Sequence, residues 1–475
     1  YSVWRPWGEI VSGTYSPNNH ILFSLLAKLF DELSGGSASA LAIRLPSVLA
    51  GCAAGMLLAL PLRREHPRLA LVLALLAVSH PWLVSFSGWA RGYALLLCLC
   101  IAATQLLFAG RWRWYVLAMT AALYTHPIAI LVAASHGVAI LLLRRQVPPV
   151  SSPAESRAGT QRQRPPVGAL AALLRHWTSR GVPPVSSSAE SKPRTQPERP
   201  SVRTLAALLR PWLLAMANTG LLSAGLYAPF FAGARTYFVQ PQRPALTYVQ
   251  FLDQSLRCAQ AGDPLDGLAH LLIPVVVMAA GLCMVWSWTA LRPVVLTFAV
   301  ASLLGLLVPL AVPAAGETRA MLWLIPVYIL SVFGLVSLNR GRILIAVILP
   351  LGFFAMRAQD IIVRPAQPTR EAIAEARAIA GDRPVVGVYM ASAEAKVVYG
   401  LDYIAYILDP RVDSLPALRT VEARVSKPPV LVVFYPDYLR RDQPELALYM
   451  RRQYERVKTL PGRISPAEIW ESKLK

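Results

Sequence analysis

The chain has 475 residues, of which 55% are hydrophobic and only 15% charged, with a mean hydropathy of +0.45. Ordinary soluble domains carry about 25% charged residues, so this composition excludes a soluble globular protein, and 39 prolines with 28 glycines exclude a coiled coil. The net charge of +21 invites a nucleic-acid reading, but the placement of the charges excludes that too. No acidic residue lies between Glu65 and Glu155, Glu198 and Asp253, Asp266 and Glu317, or Glu317 and Asp360. Long acid-free apolar tracts separated by short Arg-rich turns are the pattern of a protein that crosses a membrane many times.

Residues 1–40 form a polar N-terminal loop holding an amphipathic segment, HILFSLLAKLFDEL (20–33). Its Asp31 and Glu32 are expected on a solvated face. Apolar stretches of spanning length, about 17–25 residues, follow at 41–62, 69–87, 92–109, 205–231, 268–291, 293–314, 319–337 and 341–357. The stretch 113–143 is too long for one straight helix. Thr125-His126-Pro127 breaks it near its middle, because proline removes a helix hydrogen bond and clashes with the preceding turn. Two short crossings there bring the expected total to ten.

Loop charge tests that count, since cytoplasmic loops collect Lys and Arg. An outside N-terminus with ten crossings puts 62–68, 110–114, 144–204, Arg292 and 337–343 inside, together carrying +15, of which +8 is in 144–204. A single crossing at 113–143 would instead place that +8 loop outside. The loop contains a duplication: VPPVSSPAESRAGTQRQRPPVGALAALLRHW (147–177) recurs 35 residues later with 21 of 31 positions identical. Stable repeat arrays need at least three units, so this reads as a duplicated basic cytoplasmic linker. The domains expected are therefore an extracytoplasmic loop (1–40), a first helix group (41–143), the linker (144–204), a second helix group (205–357) and an extracytoplasmic α/β domain (358–475). In that last domain helices are expected at 368–381, 391–400 and 443–454, buried strands at 383–390 and 428–436, and edge strands between Tyr454 and Trp470.

The five cysteines form no CxxC pair, which argues against a thiolate zinc site. There is no HExxH, Walker-type loop, GxGxxG or nucleophile elbow, which removes ATP-driven transport, zinc proteolysis and serine hydrolysis. The informative polar residues fall at the extracytoplasmic ends of the expected helices: Glu9, His20, Arg44, Arg91, Tyr93, Tyr124, His126, Glu317 and Arg319. Arg44, Arg91 and Arg319 oppose the positive-inside trend, and ionisable groups at membrane depth mark function by default. Guanidinium forks pair bidentately with phosphate oxygens, so three such cations around an outward cavity suit a lipid phosphate or pyrophosphate. A carboxylate nearby could act as general base or bind a divalent ion. Among the acids, Glu317 pairs readily with Arg319, and Asp253, Asp263 and Asp266 sit in loop or turn contexts. Glu9 remains as the candidate base. His20 and His126 are placed to orient an acceptor or donate to a leaving phosphate, whereas His80 and His136 lie deeper and read as packing or kink residues.

The segments SPNNHILFSLLAKLFDELSGG…SALAIRLPSVLAG (16–51), SHPWLVSFSGWARGYALLL (79–97), YTHP (124–127) and ETRAMLWLIPVYILSVFGL (317–335) resemble the C-type integral-membrane glycosyltransferases. They are similar in particular to bacterial relatives of protein O-mannosyltransferases and of the lipid A aminoarabinose transferase. The resemblance implies an α-helical multi-pass protein of the bacterial inner membrane. Such a protein moves a sugar from a polyprenyl-phosphate carrier to a glycan, lipid or protein acceptor on the extracytoplasmic face, with membrane lipids and no nucleic acid as partners. It implies that Arg91 and Arg319 face the carrier phosphate and that His20 helps build the cavity. No fixed cofactor is implied, since some relatives use a divalent metal and others do not. The family's catalytic Asp follows a first membrane helix that would precede Trp7–His20, so the chain is expected to be an N-terminally truncated, inactive form or one in which Glu9 takes over. The competing expectations are a non-enzymatic lipid-linked sugar transporter and an accessory subunit.

Overall fold

In the computed structural model the described residues are 6–12, 20–36, 40–143, 202–230, 269–311, 322–337, 343–363, 368–388, 396, 401–405, 414–462 and 465–473. They are mostly helical, with one small sheet near the C-terminus. Two short helices, α1 (Trp7–Ser12) and α2 (Ile21–Leu33), precede a series of apolar ones. These are α3 (Ala40–Ala59), α4 (Pro67–Ser79), α5 (Pro81–Gly88), α6 (Tyr93–Phe108), α7 (Trp112–Thr125) and α8 (Ile130–Leu142). After the linker come α9 (Val202–Tyr227), α10 (Ala269–Val285), α11 (Arg292–Ala311), α12 (Leu324–Ser337) and α13 (Ile343–Val363). The duplicated linker lies outside the described residues up to 201, where its end runs into α9, and the helix expected at 391–400 lies outside them apart from its residue 396.

Two stretches among the described residues, Leu41–Leu62 and Thr289–Leu307, are long and apolar enough to cross a membrane, and α4 with α5 makes a third if that bent pair is one span. Four further apolar stretches among the described residues, Tyr93–Phe108, Pro127–Leu142, Leu324–Ser337 and Val347–Gln359, are shorter. The 16 residues of α6 reach about 24 Å at 1.5 Å per residue, against a hydrocarbon core of about 30 Å. Hydropathy windows run apolar residues together across the turns that end each helix, so they overstate helix length. At 69–87 the window crosses His80-Pro81, where the chain bends by 57°. There the buried His80 ring meets Tyr328 at 6.0 Å and Phe354 at 5.2 Å between centroids.

At 113–143 the chain reverses. Tyr115, early in α7, donates its hydroxyl proton to Nδ1 of His136, midway along α8, at 3.1 Å. Along one straight helix those 21 positions would lie about 31 Å apart, so α7 and α8 fold back on each other about His126-Pro127. The same imidazole meets the Thr104 hydroxyl of α6 through Nε2 at 3.0 Å. Thr104 donates its own proton to the Cys100 carbonyl at 2.8 Å, so the neutral ring is protonated on Nε2 and accepts on Nδ1. All three side chains are fully buried. Trp212 of α9 abuts Gly137, where an added Cβ would sit 2.8 Å from its ring. One histidine thus ties α6, α7 and α8 together, directly beside the seat of α9.

Small residues allow one close helix contact. The backbone of Gly281 in α10 abuts that of Ser331 in α12, and Gly334 abuts Gly281 in return. The Ser331 hydroxyl bridges the two helices by donating to the carbonyls of Val327, at 2.7 Å, and Met278, at 3.2 Å. Close approach through small residues is how helices associate where lipid removes the hydrophobic drive. A Cβ at Gly281 would overlap a backbone carbonyl, which no rotamer change relieves. Gly281→Leu is therefore expected to destabilise the chain by about 3 kcal/mol or to prevent folding. Gly220→Leu, at a position open to the surroundings, should change thermal unfolding little, and equal behaviour of the two variants would refute the contact.

The sheet domain contains α14 (Thr369–Ala380), β1 (Val385–Val388), β2 (Tyr403–Ala405), α15 (Leu415–Arg424), β3 (Val430–Phe434), α16 (Pro436–Asp442), α17 (Pro444–Gln453), β4 (Tyr454–Leu460) and β5 (Ala467–Ser472). Gly381, at φ 61°, ends α14 in a conformation that favours glycine. Strand order is β2-β1-β3-β5-β4, parallel across the first three and antiparallel thereafter. β5 is thus interior and β4 an edge, because the final hairpin inserts its second strand beside β3. Alternating residues split the core. Val430, Val432 and Phe434 pack with α14, while Leu431 and Val433 pack with Leu418, Leu446 and Met450 on the opposite face. The buried Glu468 carboxylate accepts from Arg440 at 2.5 Å, Arg456 at 2.9 Å and Trp470 Nε1 at 3.1 Å.

Glu422 of α15 accepts from the hydroxyls of Tyr449, at 2.6 Å, and Tyr454, at 2.5 Å. Burial first, then the adjacent carboxylate, pushes Tyr449 up to about 12, and the same causes push Tyr454 up further. A phenol whose folded pKa is raised contributes stability that is complete below its unfolded pKa of about 10 and is lost as pH rises through the folded value. The domain should therefore weaken from about pH 10 upward. Glu422→Gln should bring both phenols down, read as phenolate absorbance appearing at lower pH. An unchanged titration would show that the carboxylate has no such role.

Candidate active site

Three polar rings meet where α2 and α6 begin and α7 ends. His20 caps α2, Tyr93 opens α6, and His126 stands between α7 and a short turn at 127–129. Ring centroids are 4.5 Å apart for His20–Tyr93, 5.1 Å for His20–His126 and 6.2 Å for Tyr93–His126. All three residues are buried. Pro127 forces the arrangement at His126, which is extended at φ −161° and ψ 132° as residues before proline tend to be. Its Nδ1 accepts the Ile128 N–H at 3.1 Å, so the neutral ring carries its proton on Nε2.

Gly92 is what lets the rings close. A Cβ there would stand 2.8 Å from Cγ2 of Thr125 and 3.0 Å from both Cβ and Nδ1 of His20. The neighbouring Arg91 is fixed through its backbone: its carbonyl accepts from the Ser47 hydroxyl at 2.8 Å, and its N–H donates to the Trp89 carbonyl at 2.8 Å. Its side chain is exposed. Arg44 lies one turn before Ser47 on α3 and is exposed as well. One serine thus joins the two segments that carry these cations. An aromatic wall backs them, with Phe86 5.2 Å from Tyr93, 5.2 Å from Trp89 and 5.5 Å from Trp82.

Of the residues expected at the site, the structure brings together His20, Tyr93 and His126, with Arg91 beside them. Glu9 is exposed on α1. Its neighbour Ile10 is buried against Ile21 and Tyr124, which places α1 alongside the segments bearing His20 and His126. Glu317, Arg319, Asp253, Asp263 and Asp266 lie outside the described residues. Glu32 is solvated as expected, accepting from Trp7 Nε1 at 3.0 Å and pairing with Lys28 at 3.2 Å. Asp31 differs from expectation. It is 6% exposed, and its Oδ1 is buried without a hydrogen-bond partner. Phe23, Ala27 and Asp31 recur every four positions and form the buried stripe of α2, so the solvated face stops one residue short of it. Gly92 and Ser47 were not singled out from sequence, although both lie in the motifs ARGY and RLPS.

Among the described residues no group of three or more His, Cys, Asp or Glu is placed to hold a metal ion. A separate groove of about 790 Å³ opens in the sheet domain, lined by Arg377, Asp382, Arg383, Asp402, Tyr403 and Arg424 among others. Much of its charge is already paired. Lys427 holds Asp382, Arg383 meets Glu471 at 2.6 Å, and Asp402 accepts the Val385 N–H at 2.8 Å. The hydrogen bond from Lys427 and then its charge hold the Asp382 carboxyl below its ordinary range.

No protein-family profile matches the chain, and no curated protein matches it. Among solved structures it is similar to that of ArnT from Cupriavidus metallidurans in the apo state, at 12% sequence identity over 98% of this chain and 90% of that one, with a TM-score of 0.46.

Proposed function

We propose that the chain is a membrane glycosyltransferase that passes a sugar from a polyprenyl-phosphate carrier to an acceptor on the extracytoplasmic face. The observation that supports this reading most is the meeting of His20, Tyr93 and His126 beside the fixed backbone of Arg91, at helix ends that the loop charges assign to the outside. Ten crossings and the location in a bacterial inner membrane belong to the same proposal. An acceptor hydroxyl or amine attacks the anomeric carbon, and the bond from that carbon to the phosphate oxygen breaks with its electron pair leaving on the phosphate. The acceptor's proton passes to a carboxylate, for which Glu9 is the candidate. Arg44, Arg91 and Arg319 stabilise the departing phosphate, and His20 with Tyr93 and His126 orients the acceptor.

Transfer of labelled sugar from a polyprenyl-phosphate donor, followed in proteoliposomes, tests the reading. His20→Ala is expected to lower turnover about 10²-fold, the lower end of the range for losing a positioned acid–base group, because His20 orients the acceptor without itself taking the proton. Undiminished turnover would remove the site. One observation favours a second reading as a lipid-linked sugar transporter: α4 and α5 form a broken apolar pair with a buried histidine at the break, and discontinuous helices build transporter sites. Movement of the lipid-linked sugar across the bilayer without transfer would select it.

A further inference from the structure

Arg357 lies near the end of α13, a helix that packs on α4 and α5. Its Nε is buried and has no hydrogen-bond partner, and its guanidinium stands over Phe353 with Cζ 5.9 Å from the ring centroid. The next ring, Phe354, touches His80 at the α4–α5 break, so Arg357 is one turn beyond that break on a helix that packs on both. A buried guanidinium N–H left unpaired is costly, and no described carboxylate is paired with it. The surface around it faces outward and is apolar. Ile348, Leu349 and Met356 are exposed, and Gly352 has open space where a Cβ would be. On the topology above Arg357 is near the outer end of its helix, where the abundant anion is a lipid phosphate, and the planar fork suits that group.

We propose that Arg357 holds the phosphate of an anionic membrane lipid against α13 near α5, with the acyl chains lying along Ile348, Gly352 and Met356 toward the start of the helix. The inference rests on reading the chain as membrane-spanning, not on its being a transferase. The site is apart from the three-ring cluster: α5 lies between, its Phe86 touching Tyr93 on one side while α13 packs on it.

The test uses the full chain, purified in detergent and stripped of lipid, then titrated with phosphatidylglycerol, polyprenyl phosphate or inorganic phosphate under native mass spectrometry and thermal unfolding. Wild type should retain phosphatidylglycerol and gain thermal stability from it. Arg357→Gln should bind it about tenfold more weakly, a loss of about 1.4 kcal/mol, and Arg357→Lys should fall between. Preferential retention of polyprenyl phosphate through Arg357 would support the phosphate site with the carrier as its occupant. A response to inorganic phosphate equal to that to the lipids would overturn the lipid assignment. Equal lipid binding by wild type, Arg357→Gln and Arg357→Lys would overturn the site. Failure of transfer with lipid binding intact, or the reverse, separates this inference from the proposed function.

Discussion

Arg91→Ala is expected to lower the rate of sugar transfer from a polyprenyl-phosphate donor about 10²-fold while leaving the thermal unfolding of the chain nearly unchanged. The side chain is exposed and takes part in none of the ion pairs described, so its removal leaves no buried group stranded. Its position is nonetheless fixed, because Ser47 and Trp89 hold its backbone and Gly92 is wedged against His20 and Thr125. A hydrogen bond to a charged group contributes about 1.5–3 kcal/mol, or roughly 10- to 150-fold. Charge builds on the phosphate as the sugar leaves, so the loss should appear in kcat more than in KM. Arg91→Lys keeps the charge but not the fork and should fall between. Gly92→Ala approaches the same site by crowding: the new methyl group displaces His20 or Thr125, so it should impair both stability and transfer. If Arg91→Ala transfers sugar at the wild-type rate, the phosphate is bound elsewhere.

How much of this was legible beforehand depends on how far apart in sequence the cooperating residues lie. The helix ends were legible because proline acts locally. Pro127 announces the reversal at His126, which in turn places His126 beside Tyr93 and His20 at one end of the helices. Pro81 carries the same signal after His80, yet the apolar residues on both sides hid it in a hydropathy window. Asp31 was misjudged because a carboxylate at the end of an amphipathic helix is ordinarily solvated. Only the packing of the Phe23–Ala27–Asp31 stripe turns it inward. The interior position of β5 was hidden because parallel and antiparallel pairing partners are chosen across the whole domain. His136 read as a packing residue because its partners, Thr104 and Tyr115, are 32 and 21 positions away and neither residue type marks a site alone.

That histidine carries the second large expectation. His136→Ala should destabilise the chain by about 3–5 kcal/mol, the sum of a cavity in a closely packed interior and a tyrosine hydroxyl left with only the weak Met216 sulfur acceptor at 3.5 Å. The hydrogen bonds as such are the smaller part, since bonds between membrane helices average about 0.6 kcal/mol in double-mutant cycles. The triple variant Thr104→Val, Tyr115→Phe, His136→Leu should therefore recover most of the loss, because none of the three side chains then strands a polar partner among them. Tyr115→Phe alone should be mild, leaving only a ring nitrogen unpaired. Tyr115 is ten positions before the last residue of α7, or about 15 Å along the helix from the three-ring cluster, so each folded molecule should transfer sugar at the normal rate. Thermal unfolding with transfer per folded molecule checks both halves. A His136→Ala chain as stable as wild type would show that the three side chains do not hold α6, α7 and α8 together. A stable chain with impaired transfer would instead give this buried histidine a part in the chemistry.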